Sequence, residues 1–177
     1  SYQSRPVEEV EAEARWLVEN GAKELFLVSE NTSSYGKDLG SDVRLEGLLR
    51  RLSRLDGLEW IRVSYLQPAE IRPSMLDAML GTEKVVPYFD LSFQHAARPV
   101  LRAMRRFGDA DSFLDLIGQI RSAAPRAGIR SNVIAGFPGE TEADVETLRR
   151  FIVEAEPARR GRVGGEAEDG AAGGDKI

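Results

Sequence analysis

The chain has 177 residues, of which 42% are hydrophobic and 30% charged, as in one ordinary globular domain. It contains no cysteine and one histidine, which excludes a disulfide scaffold, a thiolate nucleophile and any zinc or iron–sulfur site held by cysteines of this chain. The net charge of −5 gives no indication of direct nucleic-acid binding, and no apolar run approaches the ~20 residues of a membrane span, so we expect a cytoplasmic protein without a membrane partner.

Predicted helices and strands alternate along the chain. Apolar residues at helical spacing after Pro6 predict a first helix, with Gly21 just past its end. Short apolar runs bounded by turn residues predict four strands, at 24–29, 60–66, 85–93 and 129–135. Helical stripes follow these strands, at 45–55, 73–80, 99–106, 113–123 and 145–155. Thr141 and Asp144 have the spacing of a capping box, which predicts the start of the last helix.

This order of elements predicts an α/β fold with a parallel sheet and right-handed crossovers, either an open doubly wound sheet or part of a βα barrel. Four strands are few for a closed barrel, so we expect a sheet with unfilled edges. Residues 157–177 contain 6 Gly and 4 Ala but two large aliphatic residues, a composition that cannot bury a face. We therefore expect one domain over 1–156 and a low-complexity, disordered tail over 157–177.

Ligands of parallel α/β folds bind at the carboxyl ends of the strands, because the helix N-termini that follow direct backbone N–H groups there. The four predicted strand ends carry polar or glycine-rich residues, at 29–32, 65–68, 92–95 and 135–141. Glu30 is suited to binding a ligand ammonium or hydroxyl, and Gln94 with His95 to hydrogen-bonding a sugar or moving a proton. Each has a purely structural alternative, as a solvated loop acid or a buried histidine.

Two further features are suited to ligand binding. The turn at 136–141 lets a flat ligand approach the backbone and directs a capped helix N-terminus at it, unless it serves packing alone. Arg102, Arg105 and Arg106 form a basic run that grips a carboxylate or phosphate, unless it is only a solvated face. One interpretation is an open phosphate-binding domain, for which Gly139→Val should abolish nucleotide binding and Glu140→Ala should matter little.

Five segments in order carry a family resemblance. They are Leu-Val-Ser-Glu-Asn-Thr-Ser-Ser-Tyr-Gly-Lys-Asp at 27–38, Pro-Tyr-Phe-Asp-Leu-Ser-Phe-Gln-His-Ala at 87–96, Met-Arg-Arg at 104–106, Ile-Arg-Ser at 129–131 and Gly-Phe-Pro-Gly-Glu-Thr at 136–141. Over about residues 3–156 the chain resembles the radical S-adenosylmethionine methylthiotransferases. The Gln-His pair and the Thr-Ser-x-Tyr-Gly-x-Asp loop resemble the branch that modifies an aspartate of a small-subunit ribosomal protein more than the branch that modifies an adenosine of transfer RNA.

The resemblance implies a transferase built as a partial (βα)6 barrel, of which this chain supplies about four βα units, with S-adenosylmethionine across the strand ends. Carried over by position, Glu30 and Asn31 hold the methionine moiety, and Arg105 or Arg106 pairs with its carboxylate. Gln94 and His95 lie on the ribose side. The adenine is flanked by residues 133–137, with the contacts assigned to Val133, Ile134, Gly136 and Phe137. The resemblance carries over no catalytic residue and no metal ligand.

The chain departs from this family at the iron–sulfur clusters. Family members bind a radical-generating [4Fe-4S] cluster through Cys-x-x-x-Cys-x-x-Cys, and a second cluster supplies sulfur, whereas this sequence has no cysteine. The resemblance therefore implies a fragment of a longer enzyme that uses S-adenosylmethionine and [4Fe-4S] clusters on a small-subunit ribosomal protein, and that is inactive as isolated. The alternatives are a fragment of the transfer-RNA-modifying branch and a cluster-free module that binds a nucleoside or a protein.

Overall fold

The computed structural model describes residues 3–39 and 44–156, and the predicted tail at 157–177 lies outside them. Short parallel strands form the centre of the described chain. They are β1 (Glu24–Leu27), β2 (Trp60–Val63), β3 (Tyr88–Asp90) and β4 (Gly128–Arg130). The predicted strands and the parallel α/β class are thus confirmed.

The strands are neighbours in chain order. β1 pairs with β2 and β3 pairs with β4, and parallel bridges at Ile61–Val85 and Leu66–Leu91 join the two pairs. The N–H of Leu66 donates to the carbonyl of Asp90 (2.8 Å), and its carbonyl accepts from the N–H of Ser92 (2.9 Å). Because all these strands run in the same direction, their carboxyl ends meet at one edge of the molecule.

Each strand is shorter than the sequence predicts, because regular pairing gives way to isolated bridges. Just beyond β2, Tyr65 turns left-handed with a φ of 55°, and the single bridge from Leu66 to Leu91 follows it. Gln94, four residues beyond β3, has a φ of 67°, and a positive φ interrupts the regular β conformation at both positions. Beyond β4 a single parallel bridge, between Gln94 and Val133, continues the pairing.

Helices pack against the strands in the predicted order. Those in the described ranges are α1 (Val7–Glu19), α2 (Leu45–Leu52), α3 (Pro73–Gly81), α4 (Arg98–Ala103), α5 (Ala110–Ala123) and α6 (Glu142–Ala155). A capping box of Asp109 and Ser112 opens α5, and the predicted box of Thr141 and Asp144 opens α6. None of the helices described here is long and apolar enough to cross a bilayer.

The hydrophobic core lies between the strands and the helices. Its fully buried side chains include Leu45, Leu49, Leu52, Ile61, Leu66, Met75, Met79, Phe89, Leu91, Leu101 and Ile120. Next to them, the rings of Phe93, Phe113 and Phe151 form an aromatic trio with centroids 4.8 to 6.0 Å apart. The trio joins the end of β3 to α5 and α6, and so fixes the carboxyl edge of the strands against the helices.

A pair of truncations tests this core against the exposed surface. Met79 is fully buried on α3, whereas Val153 is 65% exposed on α6. We expect Met79→Ala to lower the free energy of unfolding by about 2–5 kcal/mol, through lost burial and the cavity left behind, and Val153→Ala to change it by less than about 0.5 kcal/mol. Urea denaturation followed by circular dichroism measures both, and equal effects would contradict the packing.

Candidate functional site

A cleft of about 460 Å³ opens among the loops at the carboxyl ends of the strands. Its wall includes three of the predicted site residues, Asn31, Arg105 and Arg106. Gln67, Glu70 and Ser92 complete the polar part of the wall. Asn31 comes from the loop after β1, Gln67 from the loop after β2 and Ser92 from the loop after β3. The parallel strands therefore bring together side chains that are far apart in the sequence.

Glu70 holds the loop that carries Asn31. Its carboxylate accepts hydrogen bonds from Asn31 Nδ2 (3.2 Å), Ser34 Oγ (2.6 Å) and Lys37 Nζ (2.7 Å). Burial raises the pKa of Glu70, but the hydrogen bonds from Lys37 and Ser34 outweigh that effect, so the pKa lies below its usual value. The ionised carboxylate therefore fixes the side-chain amide of Asn31 at the wall of the cleft.

A second series of hydrogen bonds orients Arg106. The backbone N–H of Gln67 donates to Ser33 Oγ (2.8 Å), and Gln67 Oε1 accepts from Arg106 Nη1 (2.7 Å). Ser33 is fully buried, so Gln67 is anchored from the interior. Among the carboxylates that the structure describes, none forms an ion pair with Arg105 or Arg106. Both guanidinium charges are therefore available to an anion in the cleft.

Arg105 occupies a backbone position that usually belongs to glycine. α4 ends in a Schellman motif, in which the N–H of Arg106 donates to the carbonyl of Leu101 (2.7 Å) and the N–H of Arg105 to that of Arg102 (2.9 Å). The motif requires a left-handed residue, and Arg105 has a φ of 58°. A side chain in this conformation costs roughly 1–2 kcal/mol, which glycine would avoid. Strain of this kind concentrates at functional positions.

His95 lies behind the glycine-rich turn, outside the cleft wall. Its side chain is fully buried, the N–H of Ala97 donates to Nδ1 (2.9 Å), and Nε2 lies 2.7 Å from Glu140 Oε1. Because Nδ1 accepts a hydrogen bond, the ring proton is on Nε2 and is donated to the Glu140 carboxylate. Both ring nitrogens are thus engaged, and neither is open to a ligand hydroxyl.

Glu140 closes the turn that begins at Gly136. Its Oε2 accepts hydrogen bonds from the backbone N–H groups of Gly136 and Phe137, the latter at 3.2 Å. The hydrogen bond from His95 lowers the pKa of Glu140 below its usual value, against the effect of burial and with help from the two amides. The amides that would cradle a phosphate are therefore already bound to a carboxylate, which argues against the phosphate-binding interpretation.

The remaining predicted residues form a second group, at the ends of β3 and β4. The N–H of Gln94 donates to the carbonyl of Asn132 (3.1 Å), and the N–H of Ile134 donates to the carbonyl of Gln94 (2.7 Å). Val133 and Ile134 are 43% and 42% exposed. Gly136 has a φ of 79°. Within residues 3–39 and 44–156, nothing hydrogen-bonds the side-chain amide of Gln94. This group offers a flat ligand an apolar surface, exposed backbone and one amide.

Two further candidates lie outside the cleft wall: Glu30, next to Asn31 in the sequence, and Arg102 on α4. Both are exposed to solvent. Conversely, Gln67 and Glu70 contribute to the site although no motif singles them out. Gln67 lies within the predicted strand end at 65–68, which is a usable signal. Glu70 has none, because its three partners are 33 to 39 positions away in the sequence.

Comparison with known proteins identifies the family. A sequence model of the radical SAM superfamily matches residues 1–152 of the chain. The chain belongs to this superfamily. The matched residues include β1 to β4 and most of α6, and therefore both groups of predicted site residues.

Curated relatives within the superfamily share a name. The chain is 66% identical over 155 residues to the ribosomal protein uS12 methylthiotransferase RimO of Cutibacterium acnes, a match that covers 88% of this chain and 32% of the relative. The proteins of the same name from Kineococcus radiotolerans and Streptomyces coelicolor are 60% and 57% identical, over 96% and 100% of this chain and 35% and 36% of the relatives. The chain thus spans about a third of the length of these relatives. The predicted family resemblance is confirmed.

The two cofactors of the family fit this chain differently. Cysteine is absent from all 177 residues, and thiolates are the usual ligands of an iron–sulfur cluster, so the donor set does not fit one. The part of the chain that the structure describes also has no group of three or more His, Asp or Glu side chains able to hold a metal ion. The cleft, in contrast, presents two guanidinium groups and an amide, which fit the amino-acid end of S-adenosylmethionine.

Glu140→Gln tests the role of the Glu140 carboxylate through pH. The pKa of Glu140 lies below its ordinary value of 4.5 in the folded chain, so the unfolded chain binds this proton first as the pH falls. Its contribution to stability is therefore present above about pH 4.5 and lost as the pH falls through the lower folded-state pKa. We expect Glu140→Gln to be less stable than the parent at pH 7, and the difference in urea midpoint to shrink as the pH falls below about 4.5.

Glu142→Gln is the matched control, because Glu142 is an exposed acid in the first turn of α6. This variant should have a urea midpoint close to that of the parent at pH 7. A difference between Glu140→Gln and the parent that stays constant from pH 7 to about pH 3 would show that the carboxylate charge does not hold the turn.

Proposed function

We propose that this chain forms the S-adenosylmethionine-binding part of a methylthiotransferase that acts on ribosomal protein uS12, at an aspartate as the family resemblance implies. The observation that carries the proposal is the cleft in which Asn31, Arg105 and Arg106 meet at the carboxyl ends of parallel strands. The identity of 66% to a uS12 methylthiotransferase over 88% of the chain supports the same activity.

The order of the strands supports a partial barrel. In a doubly wound sheet the strand order reverses beside the first strand, whereas in a βα barrel each strand lies next to the one before it. β1, β2, β3 and β4 follow the second pattern. We therefore propose that the described strands are consecutive members of a (βα)6 barrel.

The first group of site residues is suited to the methionine end of S-adenosylmethionine. Arg106 is held in the cleft wall by Gln67, and its remaining N–H groups match a carboxylate. The amide of Asn31, fixed by Glu70, and the nearby carboxylate of Glu30 are suited to the ammonium group and its surroundings. Arg105 is the less anchored of the two arginines, because only its backbone is held in the turn.

The second group is suited to the adenosine end. The Gln94 amide is available to a ribose hydroxyl, and the half-exposed stretch from 133 to 137 offers apolar side chains and backbone to the adenine. Val133, Ile134, Gly136 and Phe137 are the proposed adenine neighbours. His95 contributes as a positioning residue, since it acts through Glu140 on the turn and has no nitrogen left for the ligand.

A full-length chimera tests the activity. The matched 155-residue segment of the Cutibacterium acnes relative is replaced by that of this chain, and methylthio transfer to purified uS12 is followed by tandem mass spectrometry. We expect modification of uS12 at one aspartate. A chimera that is folded, carries its clusters and leaves uS12 unmodified, or that modifies transfer RNA instead, would contradict the proposal.

Arg106→Leu in the same chimera tests the assignment of the methionine carboxylate. A charge-assisted hydrogen bond of this kind is worth about 1.5–3 kcal/mol, so the variant should bind S-adenosylmethionine at least about tenfold more weakly. Gln67→Leu should weaken binding by a smaller factor, because it only frees the guanidinium. Arg102→Leu, an exposed arginine on α4, is the control and should stay within about twofold of the parent. Isothermal titration calorimetry measures the three affinities, and equal values for Arg106→Leu and Arg102→Leu would reject the assignment.

One observation favours a second candidate, a cluster-free nucleoside-binding module: the chain has no cysteine. Equilibrium dialysis of the 177-residue chain with S-adenosylmethionine, in the presence of an iron chelator, separates the two functions. Tight, saturable binding without iron favours the module. Binding that appears only in the cluster-loaded chimera favours the methylthiotransferase.

A further inference from the structure

The turn after α4 presents an exposed aromatic ring at the mouth of the cleft. Phe107 is 82% exposed, the largest fraction among the large hydrophobic side chains that the structure describes, and it lines the cleft beside Arg105. A single exposed apolar residue is common on protein surfaces. Two features distinguish Phe107 from such a residue: the fixed backbone of its turn and the charges around it.

The backbone on both sides of Phe107 is fixed. On one side, the Schellman motif of α4 holds Arg105 in the left-handed conformation, with a φ of 58°. On the other side, Gly108 has a φ of 117°, and a Cβ at this position would lie 2.3 Å from the ring of Phe113. Phe113 is itself buried in the aromatic trio. The ring of Phe107 is therefore held outward by constrained neighbours.

The charges next to the ring restrict the kind of partner. Arg105 has no ion-pair partner among the described carboxylates, whereas Asp109, two residues after Phe107, is already paired with Arg98. A nucleic acid carries a phosphate at every nucleotide, and the net charge of −5 on the whole chain disfavours many such contacts. A protein segment with one acidic side chain next to an apolar one needs a single unpaired cation, so it pairs with Arg105 and packs on Phe107.

We propose that Arg105 and Phe107 form a docking rim for an acidic and apolar segment of the protein substrate. The inference rests on the proposed function, which makes uS12 that substrate. It separates the roles of two neighbouring arginines, since Gln67 holds Arg106 towards the cofactor and Arg105 is left to the partner. It also explains the strained backbone at Arg105, because glycine would form the same turn without strain but would supply no charge.

Binding of fluorescently labelled uS12 to the full-length chimera tests the docking rim. We expect Phe107→Ala and Arg105→Gly each to raise the dissociation constant at least about tenfold. Arg105→Gly should at the same time leave the midpoint of thermal unfolding no lower than that of the parent, so that its weaker binding does not reflect a damaged fold. Trp16→Ala, which removes a 60% exposed ring from α1, is the matched control and should bind within about twofold of the parent.

Each outcome of this titration decides for or against the docking rim. Parent-like affinity for uS12 in both variants overturns it. If the parent binds an unstructured RNA oligonucleotide and not uS12, and both variants lose that binding, the rim binds nucleic acid and the proposal is overturned as well. Failure of the proposed function is seen separately, as a chimera that binds uS12 through the rim but does not modify it.

Discussion

Beyond the ends of β3 and β4 the backbone ladder gives way to loops, and a buried side-chain hydrogen bond takes over its role. The contact of 2.7 Å between His95 Nε2 and Glu140 Oε1 joins the loop after β3 to the loop after β4. The other oxygen of Glu140 binds the amides of Gly136 and Phe137, so the turn and the buried imidazole share one carboxylate. Removing that carboxylate leaves the buried His95 N–H without a partner, which is more costly than the loss of an ordinary hydrogen bond. Glu70 has the corresponding position between the loops after β1 and β2, where it binds Asn31, Ser34 and Lys37. The form of both groups of proposed site residues depends on these two carboxylates.

The same edge of the molecule contains the backbone strain of the described chain. Tyr65, Gln94 and Arg105 have φ values of 55°, 67° and 58°. Each follows a strand or helix, and each keeps a side chain in a backbone conformation that glycine adopts without strain. Backbone strain of this kind is typical of binding sites.

Sequence periodicity predicts most of the fold, because burial of one helix face or one short apolar run leaves a pattern in the chain. The alternation of elements, the capping box at Thr141 and the strand ends that carry the site follow from such patterns. The lengths of the strands do not, since a left-handed residue such as Tyr65, just beyond β2, has no signature like that of glycine. Nor does the pairing of Glu70 with Asn31, which depends on contact between residues 39 positions apart. The lone histidine shows the limit of residue chemistry: a side chain suited to binding a sugar is instead fully enclosed, with both nitrogens engaged.

We propose that the two groups of strand-end residues bind one S-adenosylmethionine, with its methionine end in the cleft and its adenosine end at 133–137. A crystal structure of the full-length chimera with S-adenosylmethionine or S-adenosylhomocysteine would show both ends of the ligand. We expect a ligand carboxylate within hydrogen-bond distance of the Arg106 guanidinium, the adenine against Val133 to Phe137, and an unchanged hydrogen bond between His95 and Glu140. A ligand bound elsewhere, or a cleft in which Arg106 still contacts only Gln67, would contradict it.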